Sequence, residues 1–143
     1  MAQDNRRFIY LLNIAQRRVQ NWTRSEKGEP TATQAAALFV LGRKGGGLVS
    51  DIARELGLGL PGASGLVDRM VAAGLVSRHA DENDGRSQRL LLTERGRAER
   101  VAAIAVARDV NARLMEGFTA TELDIVARWL AEVGRKFTKE DGT

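Results

Sequence analysis

Charged side chains gather in one short stretch of the chain, residues 75–97, which reads LVSRHADENDGRSQRLLLTERGR. Within it, Asp84 and Arg86 stand two residues apart in a segment rich in Asp, Asn and Gly, the composition of a turn. Because three acidic residues accompany Arg86 in this loop, the pattern favours one aimed arginine over a general phosphate clamp. The stretch has the form of a short hairpin that follows two short helices, an arrangement typical of proteins that grip a nucleic-acid duplex, so it indicates nucleic-acid binding.

The same stretch holds the only histidine of the chain but has no pattern of a catalytic or metal site. A calcium loop counted from Asp81 requires Gly at its sixth position and Glu at its twelfth, where Arg86 and Leu92 stand. A single His and the absence of Cys disfavour zinc and other transition metals. No nucleophile is accompanied by a base and an orienting acid. We expect no enzymatic activity, no cofactor and no metal.

Composition places the chain among ordinary soluble domains. It has 143 residues, 43% of them hydrophobic, and a formal net charge of +4, which is only mildly basic. The lack of cysteine is compatible with a reducing compartment. No apolar run approaches the roughly 18 residues of a membrane span. We expect a cytoplasmic protein without membrane association.

The segments before the charged stretch are predicted to be helical. Apolar residues spaced by three or four positions over residues 4–22 predict a long first helix. Thr31 and Gln34 have the spacing of a capping box, which predicts a second helix to about residue 41. Glycines 45–47 end that helix and predict a flexible connection without the lysine of a phosphate-binding loop.

Two short helices are predicted next. The first covers about 49–56, with Gly57 as a left-handed C-cap. The second covers about 61–73, with Pro61 in its first turn. Its expected buried side consists of Ala63, Leu66, Val67, Met70 and Ala73.

The remaining elements are a hairpin and two longer helices. Strands are predicted at 75–78 and 88–92, and Thr93 is placed as the N-cap of a helix to about residue 117. Thr119 and Glu122 form a second capping-box pattern, which opens the last helix.

This order predicts a mainly α fold with a small β-hairpin, in which a winged helix-turn-helix core is flanked by N- and C-terminal dimerisation helices. We expect one domain over 1–143, with the DNA-binding lobe at about 31–97 and the helical region at about 4–27 and 94–139. The terminal helices carry more apolar surface than one small core can bury, so we expect a homodimer.

The sequence resembles the MarR (multiple antibiotic resistance regulator) family of transcription factors along nearly its whole length. Three segments carry the resemblance, namely DIARELGL, SGLVDRMVAAGLVSR, and DENDGR followed by LLLTERGR. The chain departs from the family at Glu82 and Gly85, where Pro and Arg are usual, and at Gly59, where the recognition helix usually has a Ser or Thr cap.

The resemblance implies that Arg86 is the wing arginine that enters a minor groove and that Asp84 orients it. A salt bridge is the alternative for Arg69, and Asp68 is expected to pair with a wing or helix arginine. A solvated loop pair is the alternative for Arg86 and Asp84, and a solvated position is the alternative for Arg89 and Arg78. The predicted DNA-binding set is Arg86, Asp84, Ser64, Gly65, Arg69, Pro61, Gly62 and Arg89.

The resemblance also implies a small, often aromatic or anionic effector. Arg18, Trp22, Phe39 and Met70 are the predicted pocket residues, and filling of the core is the alternative for each. The function implied is a homodimeric repressor that binds a pseudo-palindromic duplex operator and is released by that ligand. A winged-helix protein-interaction module and a metal-responsive regulator remain as alternatives.

Overall fold

The computed structural model describes residues 6–23, 29–81, 83 and 88–138. The predicted order of elements is confirmed. The elements are α1 (Phe8–Trp22), α2 (Ala32–Arg43), α3 (Val49–Leu56), α4 (Leu60–Ala72), β1 (Val76–Ala80), β2 (Gln88–Leu92), α5 (Glu94–Met115) and α6 (Ala120–Lys136).

The chain forms two compact units, Met1–Val106 and Ala107–Thr143. The first unit contains α1 to α4, the hairpin and the beginning of α5. The second contains the end of α5 and all of α6. The predicted boundaries of the lobe and the helical region remain predictions.

The core of the first unit is built by α2, α3, α4 and the hairpin. Helix α4 buries Ala63, Leu66, Val67 and Met70, as its apolar spacing predicts, while Ala73 is only partly buried. The other buried apolar residues are Ala37, Leu38, Leu41, Ile52, Ala53, Leu75, Val76 and Leu90. This core fixes the positions of α3, α4 and the two strands relative to one another.

The two strands are antiparallel; β2 has its predicted bounds, whereas β1 ends later than predicted. Val76 pairs with Leu92 and Ala80 pairs with Gln88, so β1 extends beyond the predicted end at Arg78. His79 has little strand propensity of its own, but pairing with Arg89 continues the ladder through it. The base of the wing therefore reaches two residues further than local sequence indicates.

Glycines 45–47 are not the flexible connection that was expected. Gly47 forms an isolated bridge with Leu90, in which the Gly47 amide donates to the Leu90 carbonyl at 3.0 Å and the Leu90 amide donates back at 2.7 Å. Gly46 is buried at φ 122°, and a Cβ there would lie 2.7 Å from the Leu90 carbonyl oxygen. The α2–α3 connection is therefore attached to β2.

The longer helices leave much apolar surface uncovered within the described residues. Neither α1 nor α6 has a fully buried residue, although both have the predicted apolar stripes. Exposed large apolar side chains on α1, α5 and α6 are Phe8, Ile9, Tyr10, Leu11, Trp22, Val101, Val106, Leu114, Met115, Ile125, Val126 and Leu130. Such an extent of exposed apolar surface is typical of a protein-interaction site.

Candidate nucleic-acid interface

The turn between α3 and α4 has the form that a helix-turn-helix requires. Gly57 adopts φ 66° and ψ 32°, the left-handed C-cap that was predicted. The Leu58 amide donates to the Ala53 carbonyl at 2.9 Å, which closes the end of α3. Gly59 is the extended N-cap of α4, and no side chain caps that helix. Helix α4 therefore begins directly after a tight turn, with its first turn at the surface.

The first two turns of α4 present small and apolar groups to solvent. Leu60, Pro61, Gly62 and Ser64 are exposed, and Gly65 is partly exposed. A Cβ atom at Gly62 would meet nothing within 4 Å. All of the predicted contact residues on α4 therefore lie on or beside its accessible side.

Two charged neighbours on α4 have different surroundings. Asp68 accepts a hydrogen bond from Arg78 of β1 and forms an ion pair with it, which confirms the expected structural role of Asp68. Arg69 is exposed and forms no ion pair or hydrogen bond with any of the described residues. The Asp68–Arg78 pair links α4 to the wing, and Arg69 is left as an available cation.

The wing is described at its base but not at its tip. Arg89 is exposed on β2 opposite His79, whose Nε2 lies 2.9 Å from the Ser77 hydroxyl. Asp84 and Arg86, the two predicted wing residues, lie outside the described residues, as do Glu82 and Gly85. Their roles remain predictions.

The start of α5 is joined to the end of α4 by side-chain hydrogen bonds. Thr93 donates to the Gly74 carbonyl at 2.6 Å and accepts from the Gly96 amide at 3.0 Å, which confirms it as the helix cap. Arg95 donates to the Ala73 carbonyl at 3.0 Å. Arg97 donates to the Leu92 carbonyl at 3.0 Å. The TERGR segment, which carried the family resemblance, thus fixes the hairpin between α4 and α5.

Helix α3 begins with a carboxylate cap that sequence reasoning missed. The Asp51 carboxylate accepts a hydrogen bond of 2.8 Å from the Leu48 amide and one of 2.8 Å from Arg54. The Leu48 bond lowers the pKa of Asp51, while burial opposes this shift and Arg54 adds to it. The sequence feature that could have predicted this cap is the acidic residue in the first turn of α3, because carboxylates are favoured near a helix N-terminus.

The first unit has a cavity of about 380 Å³ on the side of β2 and the start of α5. Its lining residues are Leu41, Gly42, Gly45, Gly46, Leu91, Leu92, Arg97, Arg100 and Val101. The Nε atom of Arg100 is buried here and has no hydrogen-bond partner among the described residues. The Arg100 side chain covers Gly42 so closely that a Cβ at that position would overlap it. The cavity is thus largely apolar, and two of its lining residues, Arg97 and Arg100, are cationic.

None of the four residues predicted for an effector pocket lines this cavity. Met70 is fully buried in the core and Phe39 is half-buried. Trp22 and Arg18 are exposed on α1. The assignment of these four residues to a ligand site remains a prediction. Sequence reasoning missed Arg97 and Arg100 because their positions on α5 carry no motif of a ligand site.

The described residues were also compared with the requirements of a membrane-spanning helix and of a metal site. No helix among them combines the length and hydrophobicity needed to cross a membrane. They also contain no group of three or more His, Asp or Glu side chains placed to hold a metal ion.

A tight helix pair, an antiparallel hairpin and a helix packed behind it define a winged helix-turn-helix protein. Residues 30–87 match the model of the MarR family. The crystal structure of a probable transcriptional regulator from Pseudomonas aeruginosa is 28% identical to this chain, with a TM-score of 0.80, over 90% of this chain and 98% of that one. A mutant of E. coli MarR complexed with operator DNA is 26% identical, with a TM-score of 0.77, over 89% of this chain and 91% of that one.

Among curated proteins, an uncharacterised HTH-type transcriptional regulator of Bacillus subtilis, YfiV, is 37% identical over 76 residues. That match covers 53% of this chain and 46% of the relative, so it spans about half of the relative's length. Together with the fold, these matches show that the chain is similar to MarR-family regulators, with the family model matching its helix-turn-helix and wing segment. This confirms the resemblance inferred from the sequence.

Proposed function

We propose that this protein is a sequence-specific, double-stranded DNA-binding transcriptional regulator, and that it acts as a homodimeric repressor. The observation that carries the proposal is the exposed first turn of α4, held after a tight turn and followed by the available cation of Arg69. The N-terminal residues of the second helix of a helix-turn-helix contact base edges in the major groove. The operator complex of the related E. coli protein supports the same use of the fold.

In this proposal the predicted contact residues divide into three groups. Pro61, Gly62, Ser64 and Gly65 face the major groove, where the missing side chains of the glycines let the DNA backbone come close. Arg69 and Arg89 neutralise phosphates. The third group is the wing pair, in which Arg86 enters the flanking minor groove, where a narrow groove attracts a guanidinium, and Asp84 orients Arg86.

The exposed apolar surface of α1, α5 and α6 supports the proposed homodimer. A second copy would cover that surface and would place two α4 helices on two half-sites of a pseudo-palindrome. A regulator of this kind acts on DNA in the cytoplasm and has no enzymatic role.

We propose the cavity beside β2 as a candidate effector site, and the four residues predicted from the sequence remain a second candidate. The apolar lining suits a small hydrophobic ligand, and Arg100, which lines the cavity, supplies a positive charge for an anionic group. Arg97 lines the same cavity and adds a second positive charge. A ligand that binds the DNA-free protein more tightly than the DNA-bound protein would weaken operator binding. The factor of weakening equals the ratio of the ligand's two affinities.

Selection of genomic fragments by the purified protein tests the proposed function. The best fragment should be a pseudo-palindrome, and its affinity should fall steeply as the salt concentration rises, because phosphate contacts release counterions. A protein-interaction module would yield no preferred duplex and no steep salt dependence. A metal-responsive regulator would bind differently with and without a chelator, so unchanged binding would eliminate that alternative.

A further inference from the structure

Leu60 is an unusually exposed apolar residue at the start of α4. It is 60% exposed, whereas the large apolar residues on the inner side of α4 are buried or nearly so. Pro61, the next residue, is also exposed. The two side chains form a small hydrocarbon surface, which we call the Leu60–Pro61 patch.

The neighbours of this patch leave it accessible from outside the helix. Gly59 and Gly62 flank it, and an added Cβ at Gly62 would meet no atom within 4 Å. Ser64 is the only exposed residue of the first two turns with a hydrogen-bonding side chain. The long polar side chains that form paired hydrogen bonds with guanine or adenine are therefore absent from this part of α4.

The small area of the Leu60–Pro61 patch and the positive charge near it indicate what kind of partner covers it. Two side chains between glycines form a far smaller apolar surface than a specific protein interface buries. Arg69, on the same helix, has no acidic partner among the described residues, so the local charge favours a polyanion. A DNA duplex satisfies both conditions, because a single base pair can offer one apolar group next to a charged backbone.

Thymine is the base that presents such a group, since its C5-methyl lies in the major groove. We propose that the Leu60–Pro61 patch recognises thymine methyl groups in the major groove, so that α4 selects its half-site by apolar contact. This inference rests on the proposed DNA-binding function and adds which base α4 reads. Ser64 supplies one polar contact beside the patch, and the wing reads a separate groove.

Replacing single thymines of the selected operator by deoxyuridine removes the methyl group and leaves base pairing unchanged. At one position in each half-site, the wild-type protein should lose about fourfold in affinity, the factor for one buried methyl-sized group. Leu60→Ala should lose affinity for the thymine duplex and bind the two duplexes nearly equally. Leu60→Met should keep the preference, because it retains hydrocarbon of similar volume. Ala72→Ser, at the exposed far end of α4, is the matched control and should behave as wild type.

The outcomes separate this inference from the proposed function. If the wild type binds one operator specifically but treats thymine and deoxyuridine alike at every position, the methyl contact is wrong and the function stands. If Leu60→Ala keeps the thymine preference while its unfolding curve matches wild type, the assignment to Leu60 is wrong. If no duplex is preferred at all, the proposed function is wrong and the inference fails with it.

Discussion

The backbone carbonyl of Leu75 lies against the α carbon of Gly96, in the space that a side chain at position 96 would occupy. Leu75 precedes the first strand of the wing, and Gly96 lies in the first turn of α5. The Thr93 amide donates to the same Leu75 carbonyl at 3.0 Å. The base of the wing and the beginning of α5 are therefore packed backbone to backbone.

Replacing Gly96 by Ala should destabilise the protein. The added Cβ would overlap the Leu75 carbonyl oxygen, and relieving that overlap should cost about 1–3 kcal/mol. Urea unfolding measures the loss. Gly134→Ala is the matched control, because a Cβ there meets nothing within 4 Å and the change within α6 should stabilise by about 0.5–1 kcal/mol. Equal stability of the two variants would contradict the close packing at Gly96.

Removing the hydroxyl of Thr93 should also weaken the protein. Thr93→Val keeps the shape of the side chain but loses the bonds to the Gly74 carbonyl and the Gly96 amide. The expected loss is about 1–2 kcal/mol, as for a helix N-cap. Thr93→Ser keeps both bonds and should lie closer to wild type in thermal unfolding. If Ser and Val are equally destabilising, the hydroxyl is not the cause.

Asp51 should make stability depend on pH in the acid range. Its folded-state pKa is below the ordinary value of 3.8, so its contribution is fully present above that value and is lost as pH falls through the folded pKa. Asp51→Asn should therefore lower the urea midpoint near neutral pH and have a smaller effect at pH about 3. Asp109→Asn, at an exposed position of α5, is the control. An Asp51→Asn effect that is independent of pH would argue against the charged cap.

Replacing Arg86 by Ala should weaken operator binding by about 1–3 kcal/mol if the wing arginine makes a specific contact. Fluorescence anisotropy with the selected operator measures the change. The control is Arg135→Ala, since Arg135 pairs with Glu132 on α6 at 2.7 Å. Wild-type affinity in the Arg86 variant would remove the wing from the proposed interface.

Arg100 should be needed for binding a small apolar acid. Benzoate is a suitable calorimetric probe, because it combines a carboxylate with a hydrophobic ring. Arg100→Met keeps much of the side-chain volume and should weaken binding at least about tenfold, since bonds to charged groups contribute about 1.5–3 kcal/mol. Arg108→Met changes an exposed arginine of α5 outside the cavity and should bind as wild type. Equal benzoate affinity in both variants would place any anion site elsewhere.

Local signals were enough to predict most helix ends. Thr31 with Gln34 and Thr119 with Glu122 form the capping boxes that their spacing indicated, and Gly57 has the left-handed conformation expected of it. These features involve residues within one turn of each other. Their geometry is therefore encoded in a few consecutive positions.

Features formed by distant segments were missed. The bridge from Gly47 to Leu90 turned an expected flexible connection into a fixed one, and no local pattern reports that pairing. The unsatisfied Nε of Arg100 results from packing against Gly42 on another helix. Predicting either feature requires the tertiary arrangement of α2, β2 and α5.

The two capping boxes differ in one chemical respect that gives the helices unequal sensitivity to acid. The α2 box is closed by the neutral amide of Gln34, whose Oε1 accepts from the Thr31 amide at 3.1 Å. The α6 box is closed by Glu122, and its bonds with Thr119 lower the pKa of that carboxyl. Protonation of Glu122 weakens the acceptor at the start of α6 and leaves the start of α2 unaffected. Amide hydrogen exchange at pH values below the ordinary carboxyl pKa of 4.5 should therefore show fraying of the α6 N-terminus before that of α2.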